Sequence, residues 1–143
     1  SIWAPCTHQG SCPLLNQSKT DWCHDRLIFK TWSRQQKIEQ HLPFRNRTLT
    51  TSYLLASKRP FQLKDSLARV VGDRLKEKGK DRQLVCRGGD REFLTWMHKL
   101  KLKSQYERGD LIEIKKSTKT SNEIRLESDE DCRAIHDETL HPG

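Results

Sequence analysis

Cys6, Cys12 and Cys23 stand in Cys-x5-Cys-x10-Cys spacing, and Cys86 follows far downstream within Arg82-Gln-Leu-Val-Cys-Arg-Gly88. Three local thiols plus a remote fourth is one arrangement by which four thiolates hold an iron–sulfur cluster. Structural zinc more often uses Cys-x2–4-Cys pairs, which turn the backbone tightly around one ion. No such pair occurs here, and the wider gaps leave room to wrap a larger inorganic core. His8 and His24 lie beside the cysteines, so a mixed Cys/His zinc site stays open. Buried free thiols are a third reading, because cysteine is among the most buried residue types. Cys132 is left out of the set, since Asp129-Glu-Asp-Cys132 surrounds it with charge that disfavours a thiolate.

A second group of residues suits a polyanion. Lys76, Lys78, Lys80 and Arg82 alternate along the chain, and Arg87 and Arg91 follow. Residues 58–119 hold 18 basic and 9 acidic side chains, whereas residues 120–143 hold 2 basic and 7 acidic. The net charge of +8 is therefore concentrated in the middle, as expected of a face that meets nucleic-acid phosphates. Lysines that only solubilise a surface are the competing reading. Phe93 and Trp96 could stack on bases, but aromatic residues in such strands more often belong to a core.

No catalytic constellation is present. The chain has no Gly-rich loop opening a helix after a strand, no Walker sequence and no paired-histidine zinc motif. No apolar run approaches membrane-spanning length.

Around these residues the sequence predicts two regions. Residues 2–5 read as the end of a strand, residues 6–23 as a loop, and Asp25 to His41 as a helix from the spacing of Leu27, Ile28, Trp32 and Ile38. Thr48 to Ser57 reads as a strand, and Arg59-Pro60 marks a boundary. Five strand-like runs follow: Ala68–Val71, Gln83–Cys86, Glu92–Trp96, Asp110–Lys115 and Glu123–Leu126. Glycines at Gly72, Gly79, Gly88, Gly89 and Gly109 punctuate them, which suggests a small, partly open barrel of the OB-like kind. Hydrophobic residues make up only 33% of the chain, so a staple or a larger parent would help it fold. The chain begins Ser1-Ile-Trp-Ala4, and a segment of a longer protein is expected. With five cysteines and no secretory signal, reduced thiols or a metal site are expected ahead of disulfides.

The stretch Ala4-Pro-Cys-Thr-His-Gln-Gly-Ser-Cys-Pro-Leu14, followed by Asp21-Trp-Cys-His24, resembles the methyltransferase-like proteins of the mitochondrial small ribosomal subunit and their bacterial relatives. Ser52-Tyr-Leu-Leu55, Ala68-Arg-Val-Val-Gly72, Lys78-Gly79 and the Cys86 strand carry the likeness onward, over most of residues 2–115. Thr7 departs from the family's usual proline, and Asp25 from its usual aromatic residue.

The resemblance implies an S-adenosylmethionine-type class I Rossmann domain ahead of this segment. Residues 1–58 would be its last strands and helix with a cysteine-bearing loop, residues 59–128 a small mostly-β domain, and residues 129–143 an acidic tail. Cys6, Cys12, Cys23 and Cys86 would hold a 4Fe–4S cluster, with zinc as the alternative. The implied function is assembly or translation competence of the small ribosomal subunit, bound to its rRNA through Lys76, Lys78, Lys80, Arg82, Arg87 and Arg91. Two alternatives stand beside it: the substrate-binding part of an rRNA methyltransferase, and a zinc-stapled RNA-binding module. A monomer without membrane contact is expected. The Trp-Cys-His element leans towards a bacterial cytoplasm, with the mitochondrial matrix as the alternative.

Overall fold

Two-residue turns at Lys78-Gly79 and Gly88-Gly89 fold the middle of the chain into consecutive antiparallel pairs. Gly79 and Gly88 have φ of 84° and 57°, the left-handed backbone that tight hairpin turns demand. The computed structural model describes residues 1–135 apart from 22, 24, 44–46, 60–63, 104, 116 and 117. The Arg59-Pro60 boundary therefore falls partly outside the described residues, as do Trp22 and His24.

The hairpins belong to one curled sheet of eight strands. Its strands are β5 (Leu67–Val70), β6 (Leu75–Glu77), β7 (Lys80–Arg87), β8 (Asp90–Met97), β9 (Leu111–Ile114), β10 (Thr118–Thr120), β11 (Glu123–Leu126) and β12 (Cys132–Ala134). They run in the order β10-β11-β8-β7-β5-β9-β12, with β6 added on β7. All neighbours are antiparallel except β8 and β11. The expected small β domain is present, with eight strands where the sequence suggested five. The three missed strands are each three residues long and are held by pairing rather than by an apolar pattern of their own.

Side chains alternate across β7, and both of its faces are covered near its end. Val85 faces the main core with Val70, Leu94, Ile112 and Ile124. Leu84 and Cys86 face the other way, into a second core with Leu14 and Val71. The amides of Val71 and Gly72 both donate to the Leu84 carbonyl, at 2.9 and 3.1 Å, so the chain bulges there before β6. A Cβ on Gly72 would stand 2.6 Å from the Leu84 Cβ, which explains a glycine at that point.

Residues 1–58 are arranged differently from expectation. β1 (Ile2–Ala4) pairs with β4 (Leu55–Ala56), and β2 (Asp25–Ile28) with β3 (Thr48–Thr51), as two separate antiparallel ribbons. The helices are short: α1 (Pro13–Gln17) and α2 (Ser33–Glu39). The helix expected from Asp25 is thus a strand in its first part, and the strand expected over Thr48–Ser57 is two. Among the described residues this half shows no parallel sheet flanked by helices. Its helical spacing of apolar residues did not decide the structure because no core takes them up. Ile28 is 81% exposed, Trp32 84% and Ile38 61%. No helix among the described residues is long and apolar enough to cross a membrane.

The acidic stretch after residue 128 begins inside the sheet. Ser128 caps a single 3-10 turn, Asp129–Asp131, and the Asp131 carboxylate accepts from the amides of Glu127 and Ser128. Strand β12 then pairs with β9 and buries Cys132, whose carbonyl accepts from the Tyr106 hydroxyl at 2.9 Å. Burial pushes the Cys132 thiol up to about 11.

The inner face of β7 also buries Asp81. Arg74 pairs with its carboxylate, and His98 Nε2 lies 3.0 Å from it. Burial alone would raise the Asp81 carboxyl, but these hydrogen bonds outweigh it and hold the group below the ordinary range. The sign follows: its stabilisation is present above the unfolded value near about 3.9 and is lost as pH falls through the lower folded value.

Asp81→Asn is therefore expected to cost about 1–3 kcal/mol at pH 7 and less at pH 3, read from urea denaturation at the two pH values. An equal loss at both would contradict the ion-paired carboxylate. Gly72→Ala is expected to cost about 1–3 kcal/mol by overpacking against Leu84, measured by the same unfolding midpoint.

Candidate metal centre and basic face

Cys86 reaches the second core because it is two residues from Leu84 on the same face of β7. Cys12 and Cys23 pack against that core, and Cys6 adjoins Cys12 and Cys23 closely enough to interact electrostatically. Cys12 stands just before α1, whose Pro13 and Leu14 are buried and fix the loop against β7 and β8. Asp21 pairs with Arg91 of β8, which stands opposite Cys86 in the β7–β8 register. That ion pair lies two residues before Cys23 and sets Cys23 against Cys86. The four cysteines singled out by sequence thus come to one place, from the loop on one side and the sheet on the other.

All four are free thiols. Burial, and then neighbouring Cys12, raise the Cys6 thiol; burial, Cys6 and Cys12 raise Cys23. Burial pushes the Cys86 thiol up to about 12, with Cys23, Cys12 and Cys6 adding to it. Arginines oppose this: Arg69 beside Cys6 and Cys23, Arg108 beside Cys23, and Arg91 beside Cys86. With their pKa raised, Cys6, Cys23 and Cys86 stay protonated and inert until a partner takes their protons.

Several polar atoms at the site have no hydrogen-bond partner. Both ring nitrogens of His8, the Thr7 hydroxyl and the Arg91 Nε are buried and unpaired among the described residues. Orphaned donors of this kind cost about 1–3 kcal/mol each. Four cysteine thiols drawn to one place are the type of donor that a sulfur-ligated cluster uses. A single tetrahedral ion, with thiolates at about 2.3 Å, would need sulfurs only about 3.8 Å apart. Among the described residues no three Cys, His, Asp or Glu side chains are gathered so as to hold a metal ion.

The basic residues divide into two kinds. Arg82 pairs with Glu77 and lies over the Phe93 ring at 4.6 Å; Arg87 donates to Glu92 at 2.9 and 3.1 Å; Arg91 pairs with Asp21. Lys80 is 3.8 Å from Glu77. Lys76 and Lys78 project from β6 and its turn into solvent. Phe93 packs on the second core and Trp96 is 3% exposed, so neither offers a free face to a base.

Sequence reasoning missed a second lysine group. His98 donates its amide to the Gly79 carbonyl at 3.0 Å, which seats the 3-10 turn His98–Leu100 against the β6–β7 turn. Lys99 and Lys101, both exposed, thereby flank the Lys76–Lys78 hairpin. Their alternation in Lys99-Leu-Lys101-Leu-Lys103 repeats the pattern of Lys76 to Lys80 and could have found them.

Comparison with known proteins bears on the whole of this arrangement. No curated protein and no solved structure matches the chain. The family model of mitochondrial small ribosomal subunit Rsm22 matches residues 1–108, which take in all four clustered cysteines and the hairpin lysines. The chain belongs to this methyltransferase-like family of the small ribosomal subunit.

Proposed function

We propose that this chain is the cluster-bearing C-terminal region of a small ribosomal subunit assembly or translation factor that binds rRNA. The observation that carries this reading is the convergence of Cys6, Cys12, Cys23 and Cys86 on one half-closed site in a chain of that family. Those four thiolates would hold a 4Fe–4S cluster, which supplies a covalent link between the N-terminal loop and β7 and a capacity for one-electron chemistry. The ribosomal family favours the mitochondrial matrix as compartment.

Residues 1–58 fit the edge of a Rossmann-type unit whose remainder, with any S-adenosylmethionine site, lies outside this segment. What supports this is the placement of exposed apolar side chains. Leu27, Ile28, Trp32, Ile38, Leu49 and Leu54 are all uncovered in this half, whereas the β domain exposes few. Two-stranded ribbons are marginal by themselves and gain stability from further strands or helices.

The rRNA contact falls on Lys76, Lys78, Lys99 and Lys101. These ammonium groups meet solvent, while Arg82, Arg87 and Arg91 are held in the protein's own contacts. Flexible, hydrated ammonium groups suit sequence-blind phosphate contact.

Anaerobic purification is expected to give a brown protein with iron matching sulfide, and Cys86→Ser is expected to lose both. A colourless protein with stoichiometric zinc would replace this reading by a zinc-stapled module. Affinity for single-stranded RNA, followed by fluorescence anisotropy, is expected to fall steeply with salt. The double variant Lys76→Ala, Lys78→Ala should flatten the log–log slope by about 1.4. Affinity that holds constant as salt rises would remove the phosphate contact.

A further inference from the structure

Cys86 is bracketed on its own face of the sheet by two arginines. Arg69 stands opposite it in the β5–β7 register, and Arg91 opposite it in the β7–β8 register. Each guanidinium then reaches across to the cysteine loop. Arg69 Nε donates to the Pro5 carbonyl at 3.0 Å, one residue before Cys6, and its Nη1 donates to the Gly109 carbonyl at 2.7 Å. Arg69 and Cys23 also line a common small cavity of about 60 Å³, with Pro5, Asp25 and Gly109. Arg91 pairs with Asp21, two residues before Cys23, and keeps a buried Nε that has no hydrogen-bond partner among the described residues.

We propose that Arg69 and Arg91 are positioning residues of the four-thiol site, fixing the loop over Cys86 and supplying the positive charge that a loaded site requires. The inference rests on the cluster reading above. Four thiolates in a half-buried site carry negative charge that burial opposes unless cations or donors face it. Asp21, Asp25 and Asp73 are acidic groups near the site, and Asp73 is engaged by Arg26 and Arg108. Asp21 is engaged by Arg91, and Asp25 sits across the cavity from Arg69. Arginine is suited to the place of Arg69 because one planar fork serves two carbonyls on separate segments, which an ammonium cannot do in the same geometry.

Two consequences separate charge from scaffolding. Removing positive charge disfavours the more negative, reduced state, so the reduction potential moves to lower values. Removing the fork frees the Cys6 loop, so metal leaves faster.

The test uses metal-loaded protein prepared anaerobically, with the potential from a spectroscopic redox titration and the rate of iron loss to a chelator. Arg69→Met is expected to lower the potential and speed iron loss several-fold. Arg69→Lys is expected to keep the potential near wild type while iron loss still accelerates. Should Arg69→Met not fold, Arg91→Gln against Arg91→Lys gives the same comparison from the other side of Cys86. Unchanged potential and iron loss in the charge-removing variants would overturn the proposal and leave the cluster reading standing. A lowered melting temperature of metal-free protein with unchanged potential would assign the arginines to the fold alone, which also overturns it. Wild-type protein that takes up no iron overturns both readings together.

Discussion

The double burial of β7 is the constraint on which the rest depends. A strand has two faces, and in a sheet open to water one of them is usually polar. Here Val85 closes the main core while Leu84 and Cys86, its neighbours in sequence, close a second core under the cysteine loop. The loop is therefore part of the packing and not an appendage of it. Leu14 of the short helix α1 is 2% exposed because β7 and β8 present an apolar surface to it. A one-residue slip of β7 would exchange the two faces and carry Cys86 into the main core. The hairpin turns at Gly79 and Gly88, which fix that register, thus bear directly on where the fourth thiol points.

The inner face of the same strand carries polar groups that a small core must satisfy. Asp81 is held by Arg74 and His98, and Gln83 donates from its amide to the carbonyls of Gly72 and Tyr106. Glu92, opposite Val85 in the register, takes the Arg87 fork. These contacts join β7 to the bulge after β5, to the segment before β9 and to the turn after β8. They specify one register at a cost in desolvation that an apolar core would not incur. With only 33% hydrophobic residues, the chain uses such paired polar groups where a richer sequence would use aliphatic ones.

The legible parts of the sequence were those where local pattern and tertiary demand agree. Alternation and glycine turns located β5, β7, β8, β9 and β11 to within a few residues. β6, β10 and β12 were not legible because Leu75–Glu77, Thr118–Thr120 and Cys132–Ala134 are too short to show a period, and their partners define them. Asp25–Ile28 misled in the opposite way. Its apolar residues match a helix, yet pairing with Thr48–Thr51 makes it a strand, and no core within the described residues arbitrates. At the thiol site, spacing singled out Cys6, Cys12, Cys23 and Cys86 but left iron–sulfur, zinc and free thiols open, and only the family resemblance implied a 4Fe–4S cluster. The arginine bracket could not be read at all. Arg69 and Cys86 are neighbours only through a strand pairing that the sequence does not display.

A division of labour between the two kinds of basic side chain gives the charge of +8 its meaning. The arginines of the β domain are largely turned inward to carbonyls, carboxylates and rings. Arg69 bridges Pro5 and Gly109, Arg74 pairs with Asp81 and lies over Trp96, and Arg108 reaches Asp73 and the Val71 carbonyl. A rigid fork loses little freedom for each bond it makes, which suits these half-buried places. Lysines would shed too much hydration there, and they occupy the rim of the β6–β7 hairpin and the turn beside it. Counting the basic residues of Lys76 to Arg91 as one surface therefore overstates the exposed positive charge at its Cys86 end and understates it at its Lys99 end. The arginines near Cys86 are engaged within the protein, and the exposed lysine charge gathers at the far end of the same strand.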